Sequence, residues 1–178
     1  MPIYFLRHGE SEANVKGLFA GQRDDSPLTA LGIQQARLAA EDLKNLGITR
    51  IISSKLTRAF QTATEIANVI GFDPKQIETD DRIIEYDMGA ISGTPIRKIT
   101  PKEMIIADGA EKASKIRERL LSFLKEYKDS SDVILMVSHA GFYRMIKATE
   151  QGMEANKFYS LTACPNAHAV KLNLDGLN

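Results

Sequence analysis

Two histidines and two arginines stand where short apolar runs end. Arg7-His8-Gly9-Glu10 follows the run Ile3 to Leu6, and Ser138-His139-Ala140-Gly141 follows the run Val133 to Val137. Between them, Ser53-Ser54 closes a third run, with Arg58 just beyond it. Two guanidinium groups and two imidazoles beside helix starts would make a pocket for a dianionic phosphate. An imidazole free of metal can attack phosphorus and carry the phosphoryl group as phosphohistidine. The guanidinium forks would neutralise the charge that builds on the equatorial oxygens. Departure of an alcohol also needs a proton donor. Glu85 is the expected acid, ahead of its neighbours Asp80, Asp81 and Asp87, because it follows a segment, Thr79 to Ile84, expected to be extended. A zinc site on His8, His139 and a carboxylate is the weaker alternative. There is no HExxH, and the single cysteine, Cys164, cannot make paired-cysteine spacing. No metal and no cofactor are expected.

Those residues meet only if the apolar runs are strands of one sheet. The chain alternates such runs with helical periods, the pattern of an α/β fold with a mostly parallel sheet. Strands are expected at Ile3 to Leu6, Arg50 to Ser54, Val133 to Val137 and Ala167 to Leu174. The Val133 run has no charge, as a strand covered on both faces requires. Helices are expected at Ala30 to Leu46, Thr57 to Ile70, Glu111 to Tyr127 and Gly141 to Thr149. Gly32, Ala36 and Ala39 share one face of the first, small enough to lie close on a sheet. The fold class is therefore a three-layer α/β sandwich with helices on both faces. Such sheets bind ligands beyond the carboxyl ends of their strands, where the Arg and His residues stand.

Composition narrows the classes. The 178 residues are 43% hydrophobic and 26% charged, ordinary for one soluble domain, taken as 1–178 with a short lid around 86–110. Twenty-three basic residues balance 23 acidic ones, so no nucleic-acid or anionic-membrane footprint is expected. No apolar run approaches a membrane span, the N-terminal one is too short for a signal core, and the lone cysteine suits a cytoplasmic setting. His168 is expected on the solvent side of the last strand, and Cys164 as a packed residue. The helix face carrying Lys115 and Arg119 is expected to be solvated.

The ordered set of motifs resembles the histidine phosphatase superfamily, the phosphoglycerate mutase-like enzymes. Leu6-Arg7-His8-Gly9-Glu10-Ser11 with Asn14 looks like its signature. Pro27-Leu28-Thr29, then Ser53-Ser54-Lys55-Leu56-Thr57-Arg58-Ala59, then Glu85 with Gly89 and Gly93, then Ser138-His139-Ala140-Gly141 follow in the family's order, with a weaker echo at Asn166. The resemblance implies His8 as nucleophile. Arg7, Arg58 and His139 would hold the phosphoryl group, and Glu85 would be proton donor and then base. Asn14, Ala20, Gly21 and the backbone of Ala140 would line the phosphate site. The Gly21 to Pro27 stretch is one residue longer than the usual spacing, so either Ala20 or Gln22 is the contributor there. Ile91 and Ser92 stand where many members have Trp and Glu.

The segment from Glu85 to Glu111 is short beside that of the glycolytic mutases, and its possible second-anion residues are Arg97, Lys98 and Lys102. A mutase must keep water off its phosphohistidine, which a short lid does poorly. The expectation is a phosphomonoesterase acting on a small phosphorylated metabolite. A bisphosphate-primed phosphoglycerate mutase is the second reading, and a phospholigand-binding module without turnover the third.

Overall fold

The computed structural model describes residues 2–174, without the side chains at 101, 102 and 105. Five strands form one sheet: β1 Ile3–Arg7, β2 Arg50–Ser53, β3 Glu78–Thr79, β4 Ile134–Ser138 and β5 Ala169–Lys171, in the order β3-β2-β4-β1-β5. Every pairing is parallel except β1 with β5. The helices are α1 Glu12–Val15, α2 Ala30–Leu43, α3 Thr57–Ile70, α4 Pro101–Ile106, α5 Ala113–Tyr127 and α6 Ala140–Glu150.

Strand alternation divides the core into two layers. Ile3, Phe5, Ile52, Ile134 and Met136 face α5 and α6, against Ile116, Leu120, Phe123, Phe142 and Met145. Leu6, Ile51, Leu135 and Val137 face α2 and α3, against Ala36, Ala40, Leu43, Ala59, Ala63 and Ile66. The small residues let α2 close on the first-strand loop. A Cβ on Gly32 would lie 2.0 Å from the Glu10 carbonyl oxygen, so only glycine fits. Thr29 caps α2 by accepting from the Gly32 N–H, and Gly71 ends α3 in a left-handed turn. β4 is buried along its whole length, as a central strand lacking charge must be.

Three expectations need correction. The Thr79 to Ile84 segment is not one extended run: β3 ends at Thr79, and Asp81–Ile83 forms a 3₁₀ turn capped by the Asp80 side chain. α2 stops at Leu43, and α5 begins at Ala113, leaving Glu111 outside it. The last strand is only three residues long, because Ala167, with φ of 49°, gives its N–H to the Arg7 and His8 carbonyls instead of a ladder. His168 is exposed just before that strand, and Cys164 is buried.

Candidate active site

Sheet register brings the site together. Arg7 lies opposite Ser138 in the β1–β4 ladder, so His8 and His139 follow side by side. Ser53 lies opposite Val137 in the β2–β4 ladder, which carries Ser54 to His139. The two imidazole centroids are 5.2 Å apart. A cavity of 330 Å³ opens over His8, lined at its floor by Arg7, His8, Asn14, Ala20, Gly21, Arg58, Glu85 and Ala140.

The orientation of His8 is fixed. Its Nδ1 is 2.7 Å from the Gly9 carbonyl, which can only accept, so Nδ1 carries the hydrogen and Nε2 keeps its lone pair. The backbone around it is gripped as well. The His8 N–H donates to the Ser138 carbonyl, the Gly9 N–H to Thr62 Oγ1, and Asn166 Nδ2 to the His8 carbonyl. Burial, with Arg58 and Arg7 nearby, holds the His8 imidazole well below its ordinary 6.5. A neutral ring with a free Nε2 is the nucleophilic form.

His139 is fully buried and stands off the cavity surface. Its Nε2 meets Ser54 Oγ at 2.8 Å, and its Nδ1 has no partner. Burial and the Arg58 charge lower its pKa strongly too. Arg7 gives one Nη to the Cys164 carbonyl at 2.7 Å, and its buried Nε is unpartnered. Arg58, with 2% of its surface exposed, gives Nη1 to the Asp24 carbonyl and Nη2 to the Gly21 carbonyl. It thereby fixes the loop that presents Ala20 and Gly21. Burial lowers the pKa of both guanidinium groups, a cost an anion in the cavity would offset.

Glu85 lies across the start of α6. Its Oε2 accepts from the Gly141 N–H, and its Oε1 from the Phe142 and Tyr86 N–H groups. This leaves the Ala140 N–H uncommitted at the cavity floor, where the helix dipole favours negative charge. Gly141 is required by this contact: a Cβ there would lie 2.6 Å from Glu85 Oε1 and 2.5 Å from the Tyr86 ring.

Ala20 and Gly21 line the cavity, whereas Gln22 turns its amide to donate to the Glu85 carbonyl at 2.7 Å. Arg97 and Lys98 are exposed and do not line the cavity, and the Lys102 side chain lies outside the described residues. Burial pushes the Cys164 thiol up to about 11, the opposite of an activated nucleophile. Among the described residues no three His, Cys, Asp or Glu side chains are grouped to hold a metal ion.

Several residues were missed from the sequence. The Arg82, Ile83, Ile84 and Glu85 carbonyls lack strand partners and are held by side chains instead. Arg119 donates to the first and third, Ser138 Oγ to the second and Gln22 to the fourth. Arg119 also pairs with Glu111 through two bonds. The face carrying Lys115 and Arg119 is therefore only half solvated: Lys115 pairs with Glu118 at the surface, while Arg119 turns inward. Ser54 and Arg144 also belong to the site, the latter one helical turn beyond Ala140 on the cavity side of α6.

Comparison with known proteins bears on the family and the fold. The chain matches the Histidine phosphatase superfamily (branch 1) over residues 3–177. It is 45% identical over 103 residues to probable phosphoglycerate mutase GpmB of Yersinia pestis (strain Pestoides F), a match covering 58% of this chain and 46% of that protein. The chain thus spans about half the length of the curated relatives it matches. Bacillus stearothermophilus YhfR superposes with a TM-score of 0.82 at 22% identity, over 98% of this chain and 92% of that one. A mycobacterial glucosyl-3-phosphoglycerate phosphatase with VO3 also gives 0.82, at 23% identity, over 97% and 90%. At that identity these structures speak for the fold. No helix among the described residues is long and apolar enough to cross a membrane. The family match, running nearly end to end, places the chain in the histidine phosphatase superfamily.

Proposed function

We propose that the protein is a phosphomonoesterase that works through a phosphohistidine on His8, with a small phosphorylated metabolite as substrate. The carrying observation is the His8 tautomer: Nδ1–H is committed to the Gly9 carbonyl, which leaves Nε2 free at the cavity floor. Nε2 attacks phosphorus, and the bond to the ester oxygen breaks. Arg7, Arg58, Asn14 and the Ala140 N–H receive the equatorial oxygens, with His139 behind them. Glu85 passes a proton to the departing alcohol. It then takes one from water, which attacks phosphorus and frees His8 and inorganic phosphate.

A mutase is the second reading, supported by the name of the Yersinia relatives and by Arg144, a third arginine in the cavity. Against it, Arg97 and Lys98 are exposed and do not line the cavity, so no described cation of the lid lines it beside the phosphate floor. Hydrolysis of p-nitrophenyl phosphate with chelator present, for wild type and His8→Ala, tests the proposal, beside bisphosphate-primed interconversion of phosphoglycerates. Chelator-resistant hydrolysis lost in His8→Ala supports it. Interconversion without hydrolysis overturns it in favour of the mutase.

A further inference from the structure

Above its charged floor the cavity changes character. One wall is made by Leu18, Phe19, Met88, Ile96, Ile99 and Met104. It is a built surface, because the 17–19 and 93–96 segments are bonded to each other. The Phe19 N–H donates to the Thr94 carbonyl at 2.9 Å, the Gly93 N–H to the Phe19 carbonyl at 2.7 Å, and the Ile96 N–H to the Gly17 carbonyl at 2.8 Å. Met88 is tied in by the Gly89 turn, where a Cβ would lie 2.2 Å from the Asp108 carbonyl oxygen. Ile96 keeps 48% of its surface exposed at this wall, apolar area that water covers at a cost. The polar side chains that line the cavity outside its floor are Arg144 on α6, with its Nε on the Leu161 carbonyl, the half-buried Tyr159, and Tyr86, whose buried hydroxyl is unpartnered.

We infer that this wall selects phosphate monoesters whose leaving group is apolar beyond the ester oxygen, an alkyl chain or a ring, over sugar phosphates. A hydroxyl-rich leaving group would lose its water against six side chains that offer it no hydrogen bond. An apolar one gains roughly fourfold in affinity for each methylene it buries. The cavity volume of 330 Å³ is at the small end of ligand pockets, so a chain of about six carbons is the expected scale. The inference rests on the phosphomonoesterase reading for its chemistry, while its binding claim stands apart from turnover.

Straight-chain alkylphosphonates, which cannot be hydrolysed, separate the two. Calorimetry on the full chain should show affinity rising about fourfold per methylene from ethyl- to hexylphosphonate. Ile96→Asn, at an exposed position the fold does not depend on, should lower hexylphosphonate affinity far more than that of ethylphosphonate. Alkyl phosphate esters should follow the same order in kcat/KM. Affinity that is flat with chain length, or a variant that weakens both phosphonates equally, overturns the inference even if esters are hydrolysed. A steep chain-length series with no hydrolysis of any ester leaves the inference standing and sinks the phosphatase reading instead.

Discussion

At the scale of single residues the site is defined by which hydrogen bonds are already spent. His8 spends Nδ1 on a carbonyl and keeps Nε2, so nucleophile and tautomer are set together. Glu85 is held by two backbone N–H groups at the start of α6 and by that of Tyr86, which together aim its carboxylate at the floor it shares with Arg7 and Arg58. If it is the proton donor, its loss should matter in proportion to the basicity of the leaving group. Glu85→Gln should slow hydrolysis of alkyl phosphates by about 10²- to 10⁴-fold, and that of p-nitrophenyl phosphate, which needs little protonation, far less. Steady-state kcat on the two substrates checks this, and equal losses would make Glu85 a scaffold. Arg7 and His8 were legible because they stand where an apolar run ends, and Arg58 because it lies a few residues past another, whereas Asn14, Ala20 and Gly21 were marked only by the family resemblance. The difference between Ala20 and Gln22 was not legible. Both lie in one irregular loop, and only the bond from Gln22 to the Glu85 carbonyl shows which turns away.

At the scale of elements, the segment before Glu85 is the least regular part of the site and the most supported. It leaves β3 after two residues, and its next carbonyls are held by Arg119, Ser138 and Gln22. Arg119 holds two of them and is clamped by Glu111, with only 15% of its side chain exposed. Arg119→Met should cost about 3 kcal/mol in thermal unfolding, since it leaves buried carbonyls and a carboxylate unpaired. In the enzyme it should lower kcat on alkyl phosphates more than on p-nitrophenyl phosphate, as a drifting Glu85 would. A stability loss with no such split would confine Arg119 to folding. Nothing local in the sequence marks this role. Arg119 sits among charges at helical spacing that look like a solvated face, and its partners are distant in the chain. Helices and central strands were legible because period and charge exclusion act within a few residues. The length of the last strand was not, because it is set by Ala167 bonding to the far end of β1.

At the scale of the molecule, two buried neutral imidazoles make stability depend on pH. Both are held well below 6.5 in the fold. Above that value folded and unfolded chains bind the same protons at these sites, so the contribution is level. As pH falls through 6.5 the unfolded chain takes up protons that the fold refuses, and stability declines by up to about 1.4 kcal/mol per pH unit for each ring. Asp24, Asp80, Asp87 and Asp132 are held below their ordinary 3.8, so their contribution persists down to that value and is lost beneath it. The decline between about pH 6.5 and 5 therefore belongs to the histidines, since the depressed carboxylates, Glu103 included, lose their contribution only below that. Unfolding midpoints should fall through this window, and His139→Gln should flatten part of the slope. A level profile from pH 7 to 5 would show that the rings are not buried neutral. The same burial keeps His8 unprotonated, and so nucleophilic, in mildly acidic solution.

The central claim is that phosphorus passes through His8. The most direct measurement is rapid quenching of the enzyme during turnover of a phosphate monoester, followed by mass spectrometry of peptides kept at alkaline pH, where phosphohistidine survives. An acid-labile phosphoryl group is expected on His8 and none in His8→Ala, which should also be inactive. A phosphoryl group on another residue, or turnover that persists in His8→Ala, would contradict it.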